Sequence, residues 1–518
     1  MRLPKVYNPY VSAIIATIGG SLFGFDVSSI SAIIGTDQYL KYFGSPDSTL
    51  QGGITAAMSG GSLVGSLVSG LLCDRLGRKT TIMSSCVFWM VGSIICCASQ
   101  NVAMLIVGRV FNGLCVGFTS SQVPVYISEI SRKDIRGKMV GCQQWSIEWG
   151  ILIMYYIGYG CSFIKSNASF RIPWGLQMIP AVLLVILLPI CPESPRWLAS
   201  KGRWDECHEI LAKIHAGGDK EDPTVLAEML EIREVVEMEK SQTTSYLTLF
   251  NKKNWYRSHV GIFSQVWQQL VGGNVMMYYV VYVFQMAGLT GSVNLISSSI
   301  QYVIFLVFTF PVIFFIDHTG RRWLMIVGSI GMGTCIWIVG GLLKTYGEYA
   351  QSVGGNENIH VTLEHEYGAS RAVLVFSYLF TMFYALTWAP TAWIYAPETF
   401  ALHLRSRGTS SAAAGNWAMN FALAFYVPPA FDNIGWKTFA IFGVFCYVSA
   451  IHVFFCFPET ARKTLEEIDE LFAPDGPHAW NTHVGGAKID ILASELVDTK
   501  DKCEAEHVES IDENHNFA

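Results

Sequence analysis

Residues 74–79 read DRLGRK and residues 317–322 read DHTGRR. Each follows a long apolar run, and each sets an acid, a glycine and two basic residues at the same spacing. Two further echoes follow in the same order. SEISRKDIRG (128–137) is matched by PETFALHLRSRG (397–408), with acid and arginine seven residues apart in both, Glu129/Arg136 and Glu398/Arg405. PESPRW (192–197) is matched by PETARKTLEE (458–467). Three matched elements in a fixed order point to a chain built from two related halves.

Around these motifs the composition is that of a membrane protein. Of 518 residues 51% are hydrophobic and only 15% charged, well short of the roughly 25% usual in soluble domains. Glycine, at 47 residues, suits closely packed transmembrane helices. Twelve segments are long and apolar enough to span a bilayer: 10–34, 50–72, 80–99, 102–126, 140–163, 172–191, 259–287, 293–316, 323–344, 371–396, 409–429 and 436–457. The expected fold is therefore all-α, with twelve transmembrane helices in two pseudo-symmetric six-helix bundles. The first bundle covers residues 1–191 and the second 257–457. The polar interval 192–256 between them carries apolar residues at helical spacing, which predicts amphipathic helices on the membrane surface. Residues 458–518 read as an acidic, largely disordered tail. The first apolar run has no cleavage signature and reads as a retained span.

Lys and Arg collect in alternate loops: Arg75, Arg78 and Lys79; Arg132, Lys133, Arg136 and Lys138; Arg321 and Arg322; Arg405 and Arg407. The other loops hold mainly Lys41, Lys165, Arg171 and Lys437. The positive-inside rule then puts both termini and the central interval in the cytoplasm. The N-x-S/T sequon at Asn167 falls on the expected outer side, which makes it a candidate glycosylation site. Most of the thirteen cysteines lie inside apolar runs and show neither metal-ligand nor disulfide spacing. With no glycine-rich phosphate loop and no Ser/His/Asp arrangement, no enzyme, cofactor or metal is expected. The absence of a basic patch interleaved with aromatics argues against nucleic acid.

The ordered set GGSLFGFD, GSLVSGLLCDRLGRK, GRVFNGLCVGF, PVYISEISRKDIRG, PESPRW, QQLVGGN and PETARKTLEE resembles the sugar porter family of the major facilitator superfamily. GFDVSSISAIIGTDQY, RIPWGLQMIPA and QVWQQLVGGNVMMYYVVYVFQMAGLTG are similar to the fungal high-affinity glucose transporters. The resemblance implies a monomeric plasma-membrane carrier that takes a hexose, glucose first, into the cell by alternating access; xylose or another sugar stays open. It also assigns sugar contacts to Gln144, Gln268, Gln269, Asn274, Trp393 and Asn416. Amides and an indole are the chemistry a ring of hydroxyls with two apolar faces requires, and Tyr279 joins the candidates as a further hydroxyl on span 7.

Asp26 sits deep in the first apolar run, where an unpaired charge is costly. Arg109 on span 4 is its natural counter-charge, and by resemblance the two form the acid–arginine pair of proton-coupled sugar porters. Sugar:proton symport is the expected mode, with uniport and a non-transporting glucose sensor of the same fold as alternatives. Asp74, Arg75, Arg78, Glu129, Arg136 and Glu193 collect at the cytoplasmic ends of the first-half spans, and Asp317, Arg321, Arg322, Glu398, Arg405 and Glu459 at those of the second. Both sets can form ion pairs that hold a cytoplasmic gate closed. Two positions depart from the family pattern. Phe305 stands where an asparagine is usual, and Glu148, one turn beyond Gln144, stands where a small or apolar residue is usual. Both are candidate modifiers of the pocket.

Overall fold

The computed structural model describes residues 5–485 except 32, 34–36, 45, 47, 133, 240–244, 290, 352, 354–358, 466 and 474. The first half comprises α1 (Pro9–Ser31), a short α2 (Asp37–Phe43), α3 (Ser48–Leu76), α4 (Arg78–Cys97), α5 (Val102–Ile130), α6 (Arg136–Ser162), and a span split into α7 (Ala168–Leu176) and α8 (Met178–Leu187). Three linker helices follow: α9 (Pro195–Ser200), α10 (Trp204–His215) and α11 (Pro223–Glu239). The second half opens with a span in three pieces, α12 (Trp255–Leu270), α13 (Gly273–Tyr278) and α14 (Val280–Met286). Then come α15 (Gly291–Thr319), α16 (Arg321–Tyr346), a small hairpin of β1 (Glu348–Tyr349) and β2 (Val361–Thr362), α17 (Tyr367–Leu386), α18 (Trp388–Thr399), α19 (Leu402–Ile434), α20 (Lys437–Cys456) and the short α21 (Glu467–Leu471). Helices α3 with α19, and α6 with α15, form the two seams between the halves.

Among the described residues nine helical stretches are long and apolar enough to cross a membrane. The remaining three spans are α6, α19 and the α12–α14 run, the last of which is cut into short pieces, and all three carry polar residues. They carry Gln144 and Glu148, Gln268 and Gln269, and Asn416 and Asn420, all of them buried. A buried amide in hydrocarbon is costly unless bonded, so the faces that carry them turn toward protein, while Trp149, Ile153 and Tyr156 of α6 and Phe421 and Phe425 of α19 are exposed on other faces.

Two spans are broken by identifiable devices. Gly272 adopts φ 88°, a left-handed conformation that a side chain would strain, and it parts α12 from α13. Pro390 cannot donate to the carbonyl of Leu386, and the chain turns at Thr387 between α17 and α18. Helix α19 begins at Leu402, well before its apolar stretch, so Arg405 and Arg407 ride on its first turns. Water satisfies helix ends that protrude from the bilayer, and apolarity alone therefore understates their length.

The linker helices are amphipathic as expected. Cys207, Ile210, Leu211 and Ile214 of α10 are buried, as are Val225, Ile232 and Val236 of α11. Arg196 Nη2 lies 3.3 Å from Glu228 Oε1, and His215 Nδ1 lies 2.8 Å from Glu228 Oε2. Helix α11 also reaches the second half, where Thr464 Oγ1 donates to Glu231 Oε1 at 2.7 Å.

The expectation of disorder from residue 458 onward needs correction over 458–485. Glu459 N donates to Thr482 Oγ1 at 2.7 Å, Gly485 N to Ala461 O at 3.1 Å, and Lys463 Nζ to Gly485 O at 2.6 Å. These bonds fold the segment back on itself, with Ile468 buried beneath it. Polarity here reflects hydrogen bonding, not lack of structure. Residues 486–518 lie outside the described part.

Burial alone would raise the Glu228 carboxyl, but His215 and then Arg196 reverse this and hold it near about 2. A depressed carboxylate contributes stability that is complete above its unfolded value and lost as pH falls through about 2. Hydrogen exchange in α10 and α11, corrected for intrinsic rates, should stay level between about pH 7 and 5. Glu228→Gln should raise it at both pH values. Loosening of the wild-type linker within that window would contradict the assignment.

Candidate functional site: a cavity between the halves

A cavity of about 30 Å³, room for roughly two waters, lies between the halves near the middle of the spans. Gln144 of α6 reaches it from one side, and Gln268, Gln269, Asn274, Trp393 and Asn416 from the other. These six are brought together as the sequence suggested. Tyr279 is not. Its hydroxyl donates to Ala424 O at 3.1 Å, and the neighbouring Tyr278 lines the cavity instead. The chain turns between α13 and α14 at Tyr279, which rotates the two adjacent tyrosines apart.

The second-half amides bond one another. Gln269 Nε2 donates to Asn416 Oδ1 at 2.9 Å, and Gln269 Oε1 accepts from Asn274 Nδ2 at 2.7 Å and Asn420 Nδ2 at 3.1 Å. Asn416 Nδ2 donates to Gln268 Oε1 at 2.7 Å and Gln265 Oε1 at 2.8 Å. Gln268 Nε2 donates to the Ala389 carbonyl at 3.0 Å, beside the α17/α18 break. The network crosses to the first half where Ser59 Oγ donates to Asn420 Oδ1 at 2.6 Å. Asn420 joins it beside Asn416 on the same helix, as the order of amides in span 11 suggests, and Gln265 is a further member that the candidate set omits. Its signal was present, since it lies about one helical turn from a predicted amide.

Phe305 does face the cavity, its ring tilted against Tyr384 at 5.7 Å between centroids, and the Tyr384 ring also lines it. An asparagine here would supply an amide, whereas the phenyl ring supplies bulk. Glu148 does not line the cavity but stands behind Gln144, whose Nε2 donates to Glu148 Oε1 at 3.0 Å. Thr309 Oγ1 of α15 donates to the same oxygen at 2.8 Å.

Asp26 and Arg109 meet as expected. Arg109 Nη2 lies 3.0 Å from Asp26 Oδ2, with the two residues 3% and 0% exposed. Arg109 Nε also donates to Ile54 O at 2.8 Å, so the guanidinium is anchored to α3 as well. Phe23 and Val27, near Asp26 on α1, line the cavity. Tyr278 lies within electrostatic reach of both charges.

The remaining charges cluster on the face that carries the linker helices. In the first half Arg78 holds Glu129 with two bonds of 2.8 and 3.0 Å, and Ser194 Oγ donates to Glu129 at 2.5 Å. The Glu193 carboxylate caps α4, accepting from the backbone N–H groups of Arg78 and Lys79 at 3.2 Å each. The second half repeats this residue for residue, with Arg321 also bonding Asp317 at 2.9 Å. Arg321 holds Glu398 at 3.0 and 3.3 Å, Thr460 Oγ1 donates to Glu398 at 2.7 Å, and Glu459 accepts from the N–H groups of Arg321 and Arg322 at 2.9 and 3.0 Å. Gly77 and Gly320 hold φ 92° and 87° at the two turns, and a Cβ there would come within 2.8 and 2.4 Å of the capping carboxylates.

Other contacts cross between the halves. Asp317 accepts from the N–H groups of Gly137 and Lys138 at 3.0 and 2.8 Å, Arg136 Nη1 donates to Lys463 O at 3.1 Å, and Arg405 lies 3.8 Å from Glu129. Asp74 pairs with Arg407 at 3.2 Å. Arg407 was expected only as a topological charge. Arg75, named as a gate residue, is exposed and takes part in none of the described ion pairs. Helix phase explains the exchange, because Arg75 follows Asp74 directly and points to another face.

A family model described as "Sugar (and other) transporter" matches residues 12–472. The chain is 49% identical over 484 residues to a high-affinity glucose transporter of Kluyveromyces lactis, covering 93% of this chain and 88% of that protein. It is 43% identical over 511 residues to high-affinity glucose transporter 1 of Candida albicans, covering 98% and 93%. Among solved structures it is similar to the major facilitator proton:xylose symporter XylE bound to 6-bromo-6-deoxy-D-glucose, with a TM-score of 0.77 and 25% identity over 90% of this chain and 99% of that one.

Cys73, buried beside Asp74 and within reach of Ser406 on α19, reports on the α3–α19 seam. A partly exposed pair such as Asp74–Arg407 contributes up to about 1 kcal/mol. Arg407→Gln should therefore speed thiol labelling of Cys73 in detergent by roughly two- to fivefold. The exchanged pair Asp74→Arg with Arg407→Asp should restore the slow rate. Equal labelling of Arg407→Gln and wild type would remove the pair from the seam.

Proposed function

The chain belongs to the sugar transporter family and has the major facilitator fold, and on that premise we propose that it brings a hexose, glucose first, into the cell together with a proton. It is a multi-pass membrane carrier of sugar, not an enzyme. The observation that carries the finer reading is the set of amides shared by the two halves around one cavity, beside a buried Arg109–Asp26 pair. We place it in the plasma membrane as a monomer, with both termini and the linker in the cytoplasm.

The proposed cycle uses groups already described. A sugar hydroxyl both donates and accepts, so it exchanges into the network of Gln268, Gln269, Asn274 and Asn416 without stranding an amide. Trp393 offers an indole to an apolar sugar face. The cavity is smaller than a monosaccharide, so the halves must separate on the outer side to admit one and on the linker side to release it. The charges at the linker face are the inner gate. Their contacts across the halves break while Arg78–Glu129 and Arg321–Glu398 stay within their own halves.

Proton coupling follows from burial. An ionised Asp26 holds Arg109, whereas a protonated Asp26 leaves the guanidinium to Ile54 O and lets α1 move relative to α5. One charge moved across the membrane gains about 2.3 kcal/mol per 100 mV, enough to concentrate sugar. Phe305 favours a second reading of the cargo. Its ring takes space and offers no hydrogen bond, which suits a smaller or less hydroxylated monosaccharide such as a pentose.

Uptake of labelled sugars into cells lacking their own hexose carriers, with external pH recorded, tests both points. Sugar should alkalinise the medium, and Asp26→Asn should abolish alkalinisation and accumulation; concentrative uptake by that variant would sink the coupling role. Phe305→Asn should shift preference toward glucose over xylose by about fivefold, the worth of one hydrogen bond of about 1 kcal/mol. An unchanged ratio would leave Phe305 without a part in selection.

A further inference from the structure

Glu148 is 2% exposed and lies at the middle of α6, on the seam with α15. Its Oε1 accepts two hydrogen bonds, from Gln144 Nε2 at 3.0 Å in its own helix and from Thr309 Oγ1 at 2.8 Å in the other half. Among the described residues nothing hydrogen-bonds Oε2. The carboxyl therefore works through one oxygen, as an acceptor that joins a cavity residue to the opposite half.

A glutamine amide has two unlike ends, and what its neighbours offer decides which end faces a ligand. The Glu148 oxygen, accepting here, draws the NH2 of Gln144 toward itself. The Gln144 carbonyl is then left for the cavity it lines, and no described hydrogen bond occupies it. On the other side of the cavity the carbonyls of Gln268 and Gln269 are already taken by the amides of Asn416, Asn274 and Asn420. Gln144 is thus the acceptor that the first half presents.

We propose that Glu148 is a positioning residue: it fixes Gln144 with its carbonyl toward the cavity to accept from a sugar hydroxyl, and through Thr309 it ties that orientation to the contact between the halves. This rests on the reading of the cavity as the sugar site. The role needs an acceptor oxygen, not a charge, because the second oxygen has no bonded partner. A glutamine can supply that oxygen and a leucine cannot.

The test is initial-rate sugar uptake by Glu148→Leu, Glu148→Gln, Gln144→Ala and the double variant Glu148→Leu/Gln144→Ala. Folding of each is followed by its elution in detergent. Glu148→Leu should raise KM for the transported sugar about tenfold, with maximal velocity kept within about threefold, because binding geometry is lost rather than turnover. Glu148→Gln should rescue KM to within about twofold of wild type. In the Gln144→Ala background the leucine change should add little, since its effect passes through Gln144. An unaltered KM in Glu148→Leu, a Glu148→Gln variant as impaired as the leucine one, or additive effects in the double variant would each overturn the proposal. A correctly eluting wild type that moves no sugar would instead overturn the transport reading.

Discussion

The bond between Arg78 and Glu129, with its twin between Arg321 and Glu398, is the contact on which the rest of the structure depends. Both pairs are buried and doubly bonded, and each carboxylate also takes a hydroxyl, from Ser194 or Thr460. Removing one partner of such a pair costs about 3–5 kcal/mol, because the survivor stays buried and unpaired. The ion pairs between side chains of opposite halves are longer, although Asp317 also accepts two close backbone bonds across the seam. Arg405 stands 3.8 Å from Glu129, and Asp74–Arg407 is partly open to solvent, a class of contact that contributes about 0–1 kcal/mol. The difference decides where the molecule parts. On the proposed gating reading, each half keeps its strong pair while the contacts between the halves separate.

The same constraint, applied deeper in the bilayer, shapes the cavity. Hydrocarbon penalises every unbonded amide, and the response is a closed set of amide partners from α12, α13 and α19. This is why those helices, with α6, are less apolar than the other spans. The polar residues are an internal wall, and the helices that carry them line both seams. The cavity and the buried Arg109–Asp26 pair are then neighbours in the structure. Tyr278 lines the cavity, as do Phe23 and Val27 on either side of Asp26 in α1.

Much of this was legible in the sequence because it depends on residue type and order. The paired motifs revealed two halves, apolar runs located the spans, and amides inside those runs marked the cavity. The Gly272 break was visible because glycine is a local signal. Other features depend on rotation about a helix, which composition does not encode. Tyr278 and Tyr279 are chemically alike, and only the turn between α13 and α14 selects the first. Arg75 and Arg407 look equally suited to pair with Asp74 until the path of α19 fixes which can reach it. The folded segment 458–485 was read as disordered because its stability comes from hydrogen bonds and from capping of α16 by Glu459, not from an apolar stripe. The turn at Thr387 was missed because Pro390 lies inside an otherwise continuous apolar run.

The mutual bonding of the amides has a kinetic consequence. A binding site whose polar groups needed a guest to complete their hydrogen bonds would make the unloaded turn of the cycle slow, and such a carrier would mainly swap cargo on one side for cargo on the other. Here Gln265, Gln268, Gln269, Asn274, Asn416 and Asn420 bond one another, nearby backbone carbonyls and Ser59, and the cavity beside them closes to about 30 Å³. The return leg without cargo leaves these six bonded, with the Gln144 carbonyl turned to the closed space. On the proposed transport reading, that geometry favours net movement of cargo over one-for-one exchange.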